Sequence, residues 1–283
     1  GPSLGGEGAL IEAVDKVHES GRFVSLYTNG RIFDPLSPAA GSFPEWPSWA
    51  VQAPAGRGYV EAQGQEVRGV TVDMPPQAWD PHGRCAKESY GAVNFAVMCP
   101  SAPAWQGLLV EKLTYLATNY GIDGIYIDQV LGAECVPCYA DNHGHHKPNE
   151  AWIGYRKLMR QVNVHVKRAR PQAYLATEGI SDILGQYFDI VQSHQDWRGV
   201  APAEAFPMPE LTRHVMPWLI QAAGPIQEND FYHLRLAHVT GSGLDIACRS
   251  IDPSSVFANR LRRLADWRQR LGPVVLAAEP LYC

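Results

Sequence analysis

Apolar positions along the chain recur at two spacings, and the switch between them lays out the elements. Leu10, Val14 and Val17 share one face, which predicts a helix over 8–20 closed by Gly21. Residues 22–28 (RFVSLYT) read as a short strand, followed by the turn signal Asn29-Gly30. Residues 93–99 (VNFAVMC) form a continuous apolar run of the buried parallel-strand kind. Leu109, Leu113, Leu116 and Tyr120 place one stripe on a helix over 105–119, and 121–128 (GIDGIYID) is strand again. A polar loop occupies 129–148. Asn149 then caps a helix over 150–169, with Trp152, Tyr155, Met159, Val162, Val166 and Ala169 on its apolar stripe and Pro171 beyond it. Strand 173–177 (AYLAT) ends at Glu178, and 187–192 (YFDIVQ) follows. Further strands are expected at 215–220 and 244–248, and a last helix at 254–271 closed by Gly272-Pro273.

Residues 30–92 break this rhythm. They carry Pro35, Pro38, Pro44, Pro47, Pro54, Pro75, Pro76 and Pro81 with Trp46, Trp49 and Trp79. An irregular insertion of that length is functional or folds partly by itself. A minor strand is expected within it at 67–72.

Strands alternating with helices predict a parallel sheet of the α/β class. Seven strands have barrel character: 22–28, 93–99, 122–128, 173–178, 187–193, 214–220 and 244–248. The expectation is a TIM (β/α)8-type barrel forming a single domain over 1–283. Because a helix comes first, the first barrel strand is expected upstream of residue 1. A doubly wound open sheet is the alternative, but the glycine-rich phosphate turn that usually marks one is not found.

Composition narrows the field. A chain of 283 residues suits one barrel, which typically takes ~250. A net charge of −5 gives no reason to expect nucleic acid or an anionic membrane as partner. No apolar run reaches the length of a transmembrane helix. Gly1-Pro2-Ser3 has neither the basic nor the apolar region of a signal peptide. Location stays open, with a secreted or periplasmic setting following if the substrate is a polysaccharide. Eight Trp and twelve Tyr are enough for both a core and a cleft in which sugar faces stack on rings.

Chemistry in a (β/α) barrel sits at the C-terminal ends of the strands. Strand 122–128 ends on Asp128 and strand 173–178 ends on Glu178. Two carboxyls at consecutive strand ends suit glycoside hydrolysis, in which one stays ionised and the other donates a proton. A retaining enzyme holds such a pair roughly 5–5.5 Å apart, an inverting one roughly 6.5–9.5 Å. Asp128, on the shorter stem, is assigned nucleophile. Glu178, longer and beside Gly179, is assigned acid/base. A strand-terminal acid also caps helices or pairs with arginine, so each residue has a structural reading too. Asp123 is read as structural, as are His18 and His165.

The motifs YGIDGIYIDQ (120–129), MCPSAPAWQ (98–106) and ATEGISD (176–182) resemble the strand ends of glycoside-hydrolase barrels. Over 8–275 the chain resembles a family of bacterial glycoside-hydrolase-like proteins, distantly similar to the clan of α-amylases and endo-α-N-acetylgalactosaminidases. The resemblance implies an Asp nucleophile after the fourth strand and a Glu acid/base after the fifth, here Asp128 and Glu178. Members of that family usually carry flanking β-domains and a first barrel strand, and both are expected outside residues 1–283.

Other rim positions are candidates for sugar contact: Tyr27, Asn29 and Arg31 after the first strand, Trp105 as a stacking platform, and Gln129 beside Asp128. An Arg31–Asp34 pair is read as structural. His194, Asp196 and Trp197 follow strand 187–192 in the same manner. The loop over the proposed site holds Cys135-Val-Pro-Cys138, then His143, His145 and His146. His143 and His145 are assigned to substrate hydroxyls, with a plain ordered loop as their structural reading. A zinc site built on the Cys135/Cys138 pair is the weaker alternative, since one Cys-x-x-Cys falls short of a full ligand set. No metal and no cofactor is assigned. The remaining cysteines, Cys85, Cys99, Cys248 and Cys283, show no framework spacing. No Gly-x-Ser-x-Gly elbow and no P-loop occur. Three readings follow: a retaining glycosidase acting on an oligo- or polysaccharide, a non-catalytic carbohydrate-binding barrel, and a metal-dependent hydrolase using the Cys/His loop.

Overall fold

A computed structural model describes residues 5–52, 87–90, 93–131, 136–192, 208–226, 230, 231, 234, 235, 237, 241–246 and 251–277. Its contacts divide into two compact units, Gly1–Tyr174 and Leu175–Cys283. Both are α/β, with parallel strands backed by helices, as the alternation of periods predicts.

In the first unit α1 (Gly6–Glu19) buries Val14 and ends before Gly21, whose φ of +70° suits a residue without Cβ. Strand β1 (Ser25–Asn29) starts three residues later than expected. Arg22 still bonds back to the Val17 carbonyl and Phe23 is exposed, so these residues belong to the turn. The insertion folds in part. Strand β2 (Ile32–Phe33) is followed by 3-10 turns at Pro38–Ser42 and Trp46–Trp49, with Trp46 and Trp49 buried. Strands β3 (Lys87–Tyr90) and β4 (Val93–Val97) then pair antiparallel, and β2 pairs antiparallel with the other edge of β4. Expected as a parallel barrel strand, 93–99 is the centre of this separate sheet. Ala96, Val97, Met98 and Cys99 are all buried, and burial on both faces reads as an apolar run whichever way the neighbours point. The expected strand at 67–72 and Trp79 lie outside the described residues.

Helix α2 (Pro103–Asn119) leads to β5 (Gly124–Asp128), which runs parallel to β1 in the register Tyr27↔Tyr126 and Asn29↔Asp128. Helix α3 (Gly154–Ala169) packs on α2 through Leu158, Met159, Val162 and Val166. Asn149 is not its cap. A 3-10 turn over Pro148–Ile153 precedes it, and the Glu150 carboxylate accepts the His146 and Lys147 N–H groups at 3.2 Å each. Trp152 lies in that turn, 39% exposed, so Leu158 takes its place in the apolar stripe.

The entry to the β1–β5 pair is tied by one side chain. Asp123 accepts the Val24 N–H at 2.8 Å, faces His18 Nε2 at 2.8 Å and lies 3.7 Å from Arg170. Burial works to raise its pKa, but the Val24 N–H, His18 and Arg170 outweigh it and hold the carboxyl below its usual range.

In the second unit, β6 (Tyr174–Glu178) from Leu175 onward, β7 (Ile190–Gln192), β8 (Ile220–Ile226) and β9 (Gly243–Ile246) pair parallel in that order. Residues 214–220 are not a strand. Helix α4 (Met208–Val215) takes the start of the segment, Pro217 has no N–H to give a ladder, and pairing begins only at Ile220. Helix α5 (Val256–Ala277) is capped by Ser255, whose hydroxyl accepts the Ala258 N–H at 3.0 Å. It continues through Gly272-Pro273, expected as its end, because an interior proline removes one backbone donor without dissolving the turns beyond it. Phe257 and Leu264 of α5 pack with Ala223 and Ile226 of β8 and with Leu234 and Ala237. Cys248 lies outside the described residues.

Asp123→Ala is expected to lower the unfolding free energy by about 1–3 kcal/mol, the range for lost charge-assisted hydrogen bonds. The native-state pKa is depressed, so the Asp123 contribution is present above the unfolded-state value and lost as pH falls through the native one. Urea melts from pH 7 downward check this: wild type and variant should converge in acid.

Candidate active site

Parallel register brings the residues around Asp128 together in the first unit. Side chains two apart on a strand share a face, so Tyr126 and Asp128 on β5 stand beside Tyr27 and Asn29 on β1. Ile125 and Ile127 point to the opposite face and are fully buried. The Tyr27 and Tyr126 rings stack at 5.7 Å with 16° between planes, and Tyr27 is 66% exposed. Its hydroxyl donates to Asp128 Oδ2, and Asn29 Nδ2 lies 3.5 Å from the same oxygen. Gly30 donates its N–H to the Asp128 carbonyl at 3.0 Å, and a Cβ there would meet Val130 Cγ1 at 2.4 Å. Only glycine allows this close crossing.

Gln129, next along, has φ of 62°, the single positive value of a non-glycine among the described residues. Strained backbone of this kind persists where surrounding contacts over-determine it. Gln129 is buried, its carbonyl oxygen accepts from Asn29 at 2.8 Å, and its amide donates to Glu88 Oε1 at 2.6 Å and to the Tyr90 hydroxyl. Tyr90 in turn donates to Glu88, and Arg31, also buried, lies 3.5 Å from the other Glu88 oxygen. Burial above all, then the Glu88 hydrogen bond and the charges of Glu88 and Asp128, push the Tyr90 phenol well above its usual value. Glu88 and Tyr90 were not among the residues read from the sequence. Neither closes an apolar strand, and only the antiparallel sheet brings them to Gln129.

The second unit holds Glu178 at the C-terminal end of β6, half-buried. Gly179 follows with φ of +77° and donates its N–H to the Gln192 carbonyl at 2.9 Å. Gln192, ending β7, donates its amide to Asp245 of β9, so two further strand ends are polar and joined.

The remaining expected contacts fall elsewhere. Trp105 is not an open platform. It is 4% exposed and meets Phe33 edge-on at 6.4 Å, because helix α2 turns it into the core. Asp34 is not paired with Arg31; it caps the next turn through the Leu36 N–H at 2.9 Å. His194, Asp196, Trp197 and Cys135 lie outside the described residues. His143 and His145 gather with Cys99 and Cys138, their ligating atoms all within 4.8 Å. His143 is buried, with Nδ1 3.3 Å from Cys138 Sγ and Nε2 2.7 Å from the Ser48 carbonyl. Burial opposes a charged ring there, but the Cys138 sulfur and the Ser48 carbonyl outweigh it and raise the His143 pKa.

A family model described as a domain of unknown function, DUF6259, matches residues 77–214. Over 183 residues the chain is 25% identical to a Bacteroides thetaiotaomicron protein named "Putative glycoside hydrolase", covering 64% of this chain and 23% of that one. A Monosiga brevicollis protein, "Putative glycoside hydrolase 22789", is 32% identical over 101 residues, 34% of this chain and 8% of its own length. Both relatives it resembles are named as putative glycoside hydrolases.

Solved structures carry the same fold. The α-N-acetylgalactosaminidase NagBb from Bifidobacterium bifidum matches with a TM-score of 0.61 at 15% identity over 96% of this chain and 39% of that one. The α-galactosidase TtGalA from Thermus thermophilus gives 0.53 at 14% identity, over 95% of this chain and 50% of that one. The α-L-fucosidase isoenzyme 2 from Paenibacillus thiaminolyticus gives 0.58 at 16%, over 96% and 41%. The chain thus spans less than a quarter of the curated relatives and half or less of these solved chains. The resemblance read from the three motifs is borne out by these relatives.

Gln129→Leu is expected to cost about 1–3 kcal/mol of unfolding free energy, because the bonds of a buried amide to Asn29, Glu88 and Tyr90 are lost. Denaturant melts against wild type measure it.

Proposed function

We propose that the chain carries the catalytic (β/α)8-type barrel of a retaining glycoside hydrolase acting on α-linked sugars of an oligo- or polysaccharide. The observation that carries the reading is Asp128 itself. It ends a parallel strand, it is oriented by the Tyr27 hydroxyl and flanked by Asn29, and it stands beside an exposed tyrosine ring. An oriented carboxylate next to an aromatic face suits attack on the anomeric carbon of a stacked sugar. Three proteins of like fold, an α-N-acetylgalactosaminidase, an α-galactosidase and an α-L-fucosidase, are named for α-linked sugars, which favours the α-linkage.

In this reading Asp128 attacks the anomeric carbon while Glu178 gives its proton to the departing glycosidic oxygen. A covalent glycosyl ester on Asp128 results. Glu178, now a carboxylate, takes a proton from water, which displaces Asp128 and restores the anomeric configuration. Tyr27 and Asn29 position the nucleophile, and Gln129 holds the loop behind it.

A panel of p-nitrophenyl α-glycosides tests the proposal. Asp128→Asn should lower kcat by at least about 10³-fold. Glu178→Gln should lower it by about 10²–10⁴-fold, with less loss on activated leaving groups. Added azide should rescue the Glu178 variant to an α-glycosyl azide and an Asp128→Gly variant to the β-anomer. Sugar binding by calorimetry with no turnover on any α-glycoside would favour the carbohydrate-binding reading instead. Activity that survives Asp128→Asn would overturn the assignment.

A further inference from the structure

Four side chains outside the proposed catalytic machinery form a ligand set. We propose that Cys99, Cys138, His143 and His145 bind one zinc ion that staples the loop after β5 to the end of β4. Two thiolates and two imidazoles are the donors zinc takes in closed, four-coordinate structural sites. Tetrahedral zinc with sulfur at about 2.3 Å and nitrogen at about 2.0 Å places ligand atoms roughly 3.3–3.8 Å apart. The four ligating atoms lie within 4.8 Å of one another, and the Cys138 Sγ–His143 Nδ1 separation is 3.3 Å. A small inward movement of the others completes the tetrahedron.

The surroundings are those of a ligand shell. His143 directs Nε2 to the Ser48 carbonyl at 2.7 Å, which places the ring proton there and leaves Nδ1 free to ligate. The Gln52 N–H donates to Cys138 Sγ at 3.4 Å, a contact that steadies a thiolate. His145 Nε2 is buried and has no hydrogen-bond partner among the described residues. Backbone bonds hold the frame: Cys99 N to Trp49 O at 3.0 Å, Cys138 N to Pro148 O at 2.9 Å, and Gly144 N to Ser101 O at 3.0 Å. Cys99 and Cys138 are buried with free thiols. On binding, both thiol protons leave to solvent, and the two thiolates neutralise the cation, so the burial of charge is small.

Four protein ligands fill the shell and leave no position for a water, so this ion is structural. The assignment runs against the expectation of no metal. It also differs from the Cys135/Cys138 pair read from the sequence, since the second sulfur is Cys99, thirty-nine residues upstream of Cys138. It stands independently of the glycosidase reading.

The test uses the full chain expressed with zinc in the medium, with metal measured by mass spectrometry. About one zinc per chain is expected in wild type and in Cys135→Ser and His146→Ala, and below about a tenth in Cys99→Ser and His145→Ala. A strong chelator should lower the wild-type Tm. If the ligand variants fail to fold, wild type grown in cobalt should show the thiolate-to-metal charge-transfer and intense visible bands of tetrahedral sulfur ligation. Less than a tenth of an equivalent in wild type, a Cys99–Cys138 disulfide in peptide maps of the purified chain, or metal retained by Cys99→Ser would each overturn the proposal. So would metal lost by Cys135→Ser, or cobalt spectra of octahedral oxygen ligation.

Discussion

The in-register parallel pairing of β1 with β5 is the constraint on which the candidate site rests. A slip of one residue would turn Asp128 and Tyr126 to the opposite face and bring Ile125 and Ile127 onto theirs. Two features hold the register. Asp123 clasps the start through the Val24 N–H, His18 and Arg170, and Gly30 lets the far end cross against Val130 and Ile127. Between them the pairing sets Tyr27 opposite Tyr126 and Asn29 opposite Asp128. The catalytic candidate is thus positioned by the most ordinary element of the fold, and its hydrogen bonds follow from the register.

Around that pair the insertion acts as a support. Glu88 and Tyr90, on the antiparallel sheet, hold Gln129 in its left-handed conformation, and Arg31 lies against the same glutamate. The chain that follows Asp128 is therefore pinned by polar contacts, two of whose members, Gln129 and Arg31, are buried. The cysteine and histidine cluster adds a second anchor for the same loop, farther along and tied to β4. A polar loop with few apolar side chains to bury needs such anchors if it is to keep one shape beside a strand end.

Much of this was legible in the sequence. Helices at 8–20, 105–119 and 150–169 appear close to where their stripes predict them, and strand ends at Asp128 and Glu178 are the ends observed. Local periodicity and the turn residues suffice for these, because each depends on neighbours within a few positions. The errors share a cause. The run at 93–99 advertises burial but not the direction of its partners, Trp105 advertises an aromatic but not the way its helix turns, and 214–220 advertises apolarity while Pro217 delays the ladder.

By itself, then, the sequence determined the α/β alternation, the strand-terminal carboxylates and the resemblance to proteins named as glycoside hydrolases, since composition, period and motif are all properties of short stretches. Tertiary structure alone decided which distant groups meet. Glu88 reaches Gln129 across forty-one positions, and Cys99 reaches Cys138 and the two histidines across the end of an antiparallel sheet. No local spacing encodes those encounters, because they depend on how separate strands and loops fold back on one another.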